Sequence, residues 1–139
     1  MRLILDTYVF VSGVFFSGPP YQILKAWRDG KIQLVVSPEI LEEYQRVGEI
    51  LSEQFSKVSL SPIIDLLAVQ AKLVLPPPLA QPVCTDPDDD KFLACALTSK
   101  TKFVISGDKH LLGVSSYRGI RIVRPRKFVE RYLTVRMGS

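Results

Sequence analysis

Four carboxylates in this sequence stand within or beside apolar segments rather than on plainly solvated faces. Asp6 interrupts an apolar run that begins at Leu3, and Asp108 directly follows the apolar segment 102–106. A carboxylate that leaves water must find a cation or a proton, so such positions favour a functional role over packing. Asp108 taken alone is typical of a turn or helix cap, whereas Asp6 has apolar residues on both sides.

The other two carboxylates, Asp90 and Glu43, are selected by helical spacing. In the acidic run 86–90 the first three acids are typical of an N-cap and a first helical turn, where the helix dipole favours negative charge. Asp90 instead aligns with the apolar positions that should face the sheet. Glu43 lies on the flank of the apolar stripe of its helix, while Glu42 lies on the opposite side and is predicted to be solvated.

A cluster of these four acids would have the chemistry of a magnesium or manganese site. The chain has one histidine, His110, and two cysteines, Cys84 and Cys95, which excludes a histidine-rich or cysteine-based zinc site within one chain. Oxygen ligands suit Mg²⁺ or Mn²⁺, and such ions assist in-line attack on a phosphodiester. Geometry alone leaves open that the four are scattered structural acids.

Strands and helices alternate along the chain that must position these acids. Strands are predicted from Leu3, in a run that continues past Asp6 to Val11, and at the following ranges: 32–36, 73–75, 101–106 and 120–123. Helices are predicted at 21–29, 38–55, 61–72, 88–99, 109–112 and 125–133, and three of them begin with a capping residue followed by proline. The alternation predicts an α/β protein with a mostly parallel sheet and helices on both faces. Ligand sites in such sheets lie beyond the carboxyl ends of the strands, which is where Asp6 and Asp108 fall.

Length and composition predict one domain with a proper core. The chain has 139 residues, of which 47% are hydrophobic and 23% are charged. Residues 1–133 are predicted to form a single domain and residues 134–139 a C-terminal tail, with the prolines at 76–78 as a stiff surface connector. Asp6 comes too early for a signal peptide and no apolar run is long enough to cross a membrane, so the protein is expected to be cytoplasmic.

In order and spacing, four segments resemble the motifs of PIN domains. They read Leu-Asp-Thr at 5–7, Ser-Pro-Glu-Ile-Leu-Glu-Glu-Tyr at 37–44, Asp-Pro-Asp-Asp-Asp-Lys-Phe-Leu-Ala at 86–94 and Ile-Ser-Gly-Asp-Lys at 105–109. The resemblance covers about residues 1 to 133 and is strongest to the toxins of toxin–antitoxin pairs related to the VapC type. It implies a three-layer α/β/α sandwich around a mostly parallel sheet and a Mg²⁺- or Mn²⁺-dependent endoribonuclease that hydrolyses RNA.

The resemblance also implies a role for each site residue. Three aspartates would hold the cation: Asp6, Asp90 and Asp108. Glu43 would position or activate water, and Thr7 and Ser106 would hold the carboxylates by hydrogen bonds. A homodimer and an antitoxin that covers the acidic pocket are further expectations from the same resemblance.

Two positions depart from the family pattern. Tyr8 stands where Asn or Ser is usual, and its larger phenol either points elsewhere or intrudes on the site. His110 stands where many relatives carry another aspartate. These changes leave two functions open, an active ribonuclease or a PIN scaffold that binds RNA or a protein partner without turnover.

Two other α/β classes that use an aspartate at a strand end do not fit. A haloacid-dehalogenase-type phosphatase needs a second aspartate two residues after the first, and Tyr8 occupies that position. A response-regulator receiver needs a pair of acids that the N-terminal segment lacks. Glycine-rich phosphate loops are absent too, so no nucleotide cofactor is expected.

The net charge of +4 conceals a strong division along the chain. Residues 1–99 carry 8 basic and 12 acidic residues, whereas residues 100–139 carry 10 basic and 2 acidic ones. A basic C-terminal third beside an acidic pocket suits a phosphodiester substrate, although a solvated helix face explains some of these charges. The RNA-binding candidates are Arg118, Arg121, Arg124, Arg126 and Lys127.

Overall fold

A five-stranded parallel sheet forms the centre of the fold, which is seen in a computed structural model that describes residues 1–134. The strands are β1 (Arg2–Leu5), β2 (Gln33–Val36), β3 (Lys72–Leu73), β4 (Phe103–Ile105) and β5 (Arg121–Val123). Their order in the sheet is β3-β2-β1-β4-β5, and every neighbouring pair is parallel. β1 is therefore the central strand, with β2 on one side and β4 on the other.

Helices connect the strands and cover the sheet. They are α1 (Thr7–Phe15), α2 (Pro19–Arg28), α3 (Pro38–Gln54), α4 (Ser61–Gln70), α5 (Asp90–Ser99), α6 (Lys109–Leu112) and α7 (Pro125–Phe128). Short 3₁₀ turns lie at Pro87–Asp89 and Tyr117–Gly119, and a π-helical segment, Val129–Thr134, follows α7. No helix within residues 1–134 combines the length and the apolar character that crossing a bilayer requires.

Burial along the strands shows that both faces of the sheet are covered. Leu3, Ile4 and Leu5 of β1 are each no more than 1% exposed. Because successive side chains of a strand point to opposite faces, an unbroken run of buried residues needs a layer on each side. The predicted α/β/α architecture with a parallel sheet is confirmed. Of the predicted tail 134–139, residues 135–139 lie outside the described part of the chain.

The first predicted strand is too long, and this is the main correction to the predicted elements. The strand ends at Leu5, and Val9 to Val11 lie in α1 instead. Asp6 starts that helix, since its carboxylate oxygen Oδ1 accepts a hydrogen bond from the Val9 backbone N–H at 2.8 Å. Six of the nine residues of α1 are buried, so the helix lacks the apolar periodicity that distinguishes it from a buried strand.

Other predicted boundaries and caps also differ from the structure. The helix predicted from residue 88 begins at Asp90, after the 3₁₀ turn, and the C-terminal helix changes to π-helical geometry after Phe128. Ser61 does not cap α4, because Leu60 holds the capping position without a side-chain hydrogen bond. Ser37 caps α3 as predicted, and its hydroxyl oxygen accepts from the Ile40 backbone N–H at 3.2 Å.

Tyr44 fastens α3 to the end of the central strand. Its buried hydroxyl donates a hydrogen bond to the Leu5 carbonyl, and its ring stacks on Phe10 of α1 with centroids 4.2 Å apart. Leu5 directly precedes Asp6, and Glu43 directly precedes Tyr44. The anchor therefore sets the position of one predicted site residue relative to another.

Replacing Tyr44 with phenylalanine should lower the free energy of unfolding by about 1–2 kcal/mol, because the Leu5 carbonyl loses its buried donor. Urea unfolding followed by circular dichroism measures the change. The control is Tyr8→Phe, which removes a hydroxyl from an exposed ring and should change stability by less than about 0.5 kcal/mol. Equal effects of the two changes would contradict the anchoring role of Tyr44.

Candidate active site

The carboxyl ends of β1 and β4 bring Asp6 and Ser106 side by side. Leu5 pairs with Ile105 in the sheet, and the Asp6 backbone N–H donates to the Ile105 carbonyl at 3.0 Å. The Ser106 hydroxyl donates a hydrogen bond to Asp6 Oδ2. Both side chains are buried, so Asp6 keeps its carboxylate in place through protein donors rather than through bulk water. The predicted support of Asp6 by Ser106 is present.

The surroundings of Asp6 favour its protonated form. Burial raises the pKa of this carboxyl, and the negative charges of Asp108 and Glu43 raise it further. The hydrogen bonds from Ser106 and the Val9 backbone lower the pKa and offset part of that rise. Asp6, Glu43 and Asp108 therefore share one electrostatic environment, as the clustering hypothesis requires.

Glu43 enters this environment from α3 and is held by two elements. The Thr7 hydroxyl of α1 donates to Glu43 Oε1, and the Lys91 ammonium of α5 donates to Oε2 at 2.5 Å. The Glu43 side chain is 12% exposed, whereas that of Glu42 is 67% exposed and pairs with Arg46 on the surface. The predicted division between an inward Glu43 and a solvated Glu42 is confirmed.

Lys91 is a site residue that the motifs did not select. Its side chain is only 4% exposed, and its ammonium bridges Glu43 and Asp88, the latter at 2.9 Å. Burial works to lower the pKa of Lys91, but the hydrogen bonds to the two carboxylates outweigh it and raise the pKa above its usual value. The lysine remains a cation and neutralises this side of the cluster. In the sequence, the position of Lys91 directly after an acidic run is the signal that could have indicated this role.

Both carboxylate oxygens of Asp90 accept hydrogen bonds from the backbone. Its Oδ1 accepts from the Cys84 backbone N–H at 2.7 Å, and its Oδ2 accepts from the Val83 backbone N–H at 3.2 Å. The carboxylate thus closes the loop that precedes α5, and it lines a cavity of about 300 Å³ beside the prolines at 76–78. Burial first, and the neighbouring Asp90 second, raise the pKa of the Cys84 thiol to about 12.

Within the acidic run, the pKa of Asp89 responds to the charge of Asp108. Burial raises the pKa of Asp89 to about 6, with contributions from the charges of Asp86, Asp108 and Asp88. The sequence analysis assigned Asp89 to the first turn of the helix. That assignment assumed α-helical geometry, but the segment Pro87–Asp89 is a 3₁₀ turn, which rotates about 120° per residue and redirects its side chains.

Asp108 has both of the roles considered for it. It caps α6, because its Oδ1 accepts from the His110 backbone N–H at 3.0 Å, and its own backbone N–H donates to the Ser106 hydroxyl at 3.0 Å. Its charge also acts on the buried carboxyl of Asp6 and the half-buried carboxyl of Asp89. The side chain of His110 is exposed on the short helix that follows.

Tyr8 lies outside the packed part of the site. Its side chain is 73% exposed at the start of α1, directly after Thr7. Within residues 1–134 its hydroxyl makes no hydrogen bond to an acid of the cluster. Of the two alternatives for this phenol, the exposed position favours the one in which it points elsewhere.

Comparison with known proteins places these residues in a family. The model of the PIN domain matches residues 2–110, which include Asp6, Glu43, Asp90 and Asp108. The chain belongs to the PIN domain family. It is also 30% identical to the uncharacterized protein MJ1680 of Methanocaldococcus jannaschii over 146 residues, which cover 95% of this chain and 92% of that protein. The PIN domain fold is of the nuclease type, and PIN domains generally depend on a divalent metal ion.

The donor atoms at the site fit a hard divalent cation, but they do not form a closed ligand cage. The charge of Asp108 acts on the carboxyls of both Asp6 and Asp89, and carboxylate oxygens are the donors that Mg²⁺ and Mn²⁺ favour. Among residues 1–134, no three His, Cys, Asp or Glu side chains are placed together as a complete ligand set. Mg²⁺ commonly binds through one or two carboxylates and keeps several waters, so the open arrangement remains compatible with it.

The predicted RNA-binding cations divide into two groups. All five are exposed. Arg121, Arg124 and Lys127 line one groove beside β5, whereas Arg118 and Arg126 are not among its lining residues. Arg118 lies in the 3₁₀ turn before β5, with a left-handed backbone at φ 49°.

Removing the buried cation should destabilise the fold through Glu43. We expect Lys91→Met to lower the free energy of unfolding by about 2 kcal/mol, because the nearly buried Glu43 loses its main partner. Adding Glu43→Gln to this variant should restore part of the loss, giving a coupling energy of about 1 kcal/mol or more in a double-mutant cycle.

The exposed pair Glu42 and Arg46 serves as the comparison for this cycle. Its coupling energy should stay near 0.3–0.5 kcal/mol, as is usual for solvated pairs one helical turn apart. A coupling of Lys91 with Glu43 no larger than this would contradict the account of Lys91 as the compensating charge of the site.

The raised pKa of Asp89 predicts a pH-dependent stability in metal-free buffer. Between about pH 4 and 6 the unfolded chain loses the Asp89 proton before the folded protein does, so this residue makes stability fall as pH rises through that window. Asp89→Asn removes the effect and should be more stabilising at pH 7.5 than at pH 4.5. Urea unfolding in EDTA at both pH values measures the difference.

Asp65→Asn, an exposed acid of α4, is the control for Asp89→Asn. Its effect on the free energy of unfolding should be nearly equal at the two pH values. If Asp89→Asn shows the same flat dependence as the control, the coupling of Asp89 to the other acids is wrong.

Proposed function

We propose that this protein is a metal-dependent endoribonuclease that hydrolyses RNA phosphodiester bonds. The observation that carries the proposal is the placement of Asp6 and Asp108 at the carboxyl ends of the paired strands β1 and β4, where the Ser106 hydroxyl bonds to both residues. Membership of a family with a nuclease-type fold supports the same conclusion. Carboxylates crowded at this edge of a parallel sheet are costly for the fold unless a cation compensates them.

Two aspartates, Asp6 and Asp108, would hold Mg²⁺ or Mn²⁺ in this proposal. The bound ion supplies Lewis-acid stabilisation of the charge that develops on the phosphodiester. Ser106 and the Val9 backbone N–H fix the orientation of the Asp6 carboxylate. Asp90 stays a predicted third ligand, because a carboxylate oxygen that accepts one amide bond keeps a second lone pair.

Glu43 would orient the attacking water and accept its proton. Its carboxylate is fixed from two sides by Thr7 and Lys91, which limits its rotation. A general base must be deprotonated and correctly aimed before the reaction, so these two contacts serve the proposed role. Thr7 acts here as a positioning residue, as the family resemblance implies.

The finer form of the proposal is a toxin of a toxin–antitoxin pair. It rests on the motif resemblance to VapC-type proteins, which also supplies the expectation of a homodimer and of an antitoxin over the acidic pocket. Both partners and the toxin role stay predictions.

A second candidate function is a PIN scaffold that binds RNA or a protein without turnover. Two observations support it. Lys91 already neutralises Glu43, and the backbone amides of Val83 and Cys84 already engage the Asp90 carboxylate. A site whose carboxylates are compensated by the protein itself has less need of a metal ion.

Metal-dependent cleavage decides between the two functions. We expect the protein to cut single-stranded RNA with Mg²⁺ or Mn²⁺ and not with EDTA, as followed on a fluorescently labelled strand. Asp6→Asn should slow cleavage by roughly 100-fold or more, because it removes both a ligand and a charge. Glu42→Gln removes the charge of the exposed acid next to Glu43 and should leave the cleavage rate within about twofold.

Tyr8→Asn tests the departure from the family pattern in the same assay. Because Tyr8 is exposed, this substitution should leave the rate within about twofold. A parent protein that does not cut RNA, together with a Tyr8→Asn variant that does, would establish the scaffold function instead.

A further inference from the structure

A basic groove of about 350 Å³ runs along the outer edge of β5, outside the acid cluster. Four cationic side chains line it, and they come from β5, from the residue that caps α7, from α7 and from the π-helical segment: Arg121, Arg124, Lys127 and Arg131. Ser115 and Tyr132 also border it. This groove contains Arg131, which the sequence did not single out as a binding residue, and it omits Arg118 and Arg126.

Packing of the C-terminal segment explains why its cations lie at the groove. Phe128 is fully buried against Phe103 of β4, and Tyr132 stacks on Phe128 with ring centroids 5.1 Å apart. These two aromatic residues are four apart and fix the inner face of the segment. Lys127 and Arg131 share the same spacing and remain exposed on a different face.

The four positive charges are not balanced by nearby carboxylates. In the part of the chain that the structure describes, none of the four forms an ion pair with an Asp or Glu side chain. Four like charges around one concave surface repel one another and attract a polyanion. Protection of an exposed sheet edge explains Arg121, but it does not explain Lys127 and Arg131, which belong to the helical segment.

A direct contact connects the groove to the acid cluster. The Arg124 guanidinium donates to the Gly107 carbonyl at 3.4 Å, and Gly107 joins Ser106 to Asp108. In the sheet, β5 lies next to β4, with Val123 opposite Ile105. Arg124 therefore stands at the same edge of the sheet as the acids, and the groove leads away from it along the outside of β5.

We propose that this groove binds the sugar–phosphate backbone of a single-stranded RNA on its way to the acid cluster. The inference rests on the proposed ribonuclease function and adds the site that holds the substrate. Guanidinium groups bind phosphate oxygens through paired hydrogen bonds, and lysine contributes a point charge. Contacts of this kind position a strand and do not read its sequence. Tyr132 and Ser115 add polar hydroxyls to the lining.

Binding measured without cleavage tests the groove separately from the chemistry. The parent protein in EDTA is titrated with a labelled single-stranded RNA, and affinity is followed by fluorescence anisotropy over a range of salt concentrations. The test variant is Lys127→Gln/Arg131→Gln, whose two positions are exposed and so keep the fold. The control is Lys31→Gln/Lys57→Gln, which removes the same charge from exposed positions in the N-terminal half.

The test variant should bind at least tenfold more weakly near 0.1 M salt. Its plot of log affinity against log salt should also be less steep by about 1.4, since each lost phosphate contact on a single strand contributes about 0.7. The control should keep the parental affinity and slope. Equal losses in the two variants, no loss in either, or binding of polyglutamate as tight as that of RNA would each overturn the proposal.

Cleavage assays separate this inference from the proposed function. If the parent binds RNA through the groove but does not cut it with any divalent ion, the ribonuclease proposal fails and the groove stands. If the parent cuts RNA while the groove variant binds and cuts as well as the control, the groove assignment fails and the ribonuclease proposal stands.

Discussion

Repulsion among carboxylates at the carboxyl ends of β1 and β4 is the constraint around which the rest of this structure is arranged. The sheet places Asp6 and Asp108 at neighbouring strand ends, and α3 adds Glu43. Burial and mutual charge favour protonation of such groups. Fixed hydrogen-bond donors stabilise the carboxylates, namely the hydroxyls of Thr7 and Ser106 and the backbone N–H of Val9. Tyr44 then holds the two contributing elements together.

The acids of the site differ in how far a positive charge of the protein balances them. On one side Lys91 lies between Glu43 and Asp88, where it remains a cation and its hydrogen bond lowers the pKa of Asp88. On the other side Asp6 and Asp89 have raised pKa values, caused first by burial, with Asp108 adding its charge to both. A divalent cation beside Asp108 would offset the negative charge that acts on both carboxyls. The basic groove beside β5 supplies the opposite charge a short distance along the same sheet edge.

The sequence predicted the elements that carry clear local signals. The Ser37-Pro38 cap, the parallel α/β order and the separation of Glu43 from Glu42 all follow from spacing that the structure retains. The first helix was missed because no proline follows its capping residue Asp6, and because its apolar residues face the interior on most sides. The roles of Asp89, Asp90 and Lys91 depended on one 3₁₀ turn, and no periodicity reveals whether the first turn of a helix is α or 3₁₀. Tertiary contacts, such as those of Lys91 with Glu43 across 48 positions, have no local signal at all.

The most direct measurement of the central claim is a titration of the ¹⁵N-labelled protein with Mn²⁺, followed by the loss of amide NMR signals. A paramagnetic ion broadens the signals of the residues nearest to it. The account predicts that amides at 6–9 and 106–110 broaden at the lowest Mn²⁺ concentrations and that those at Val83 and Cys84 broaden later. Broadening that begins at the exposed acids of α3, such as Glu49, or that is spread evenly over the protein would contradict it.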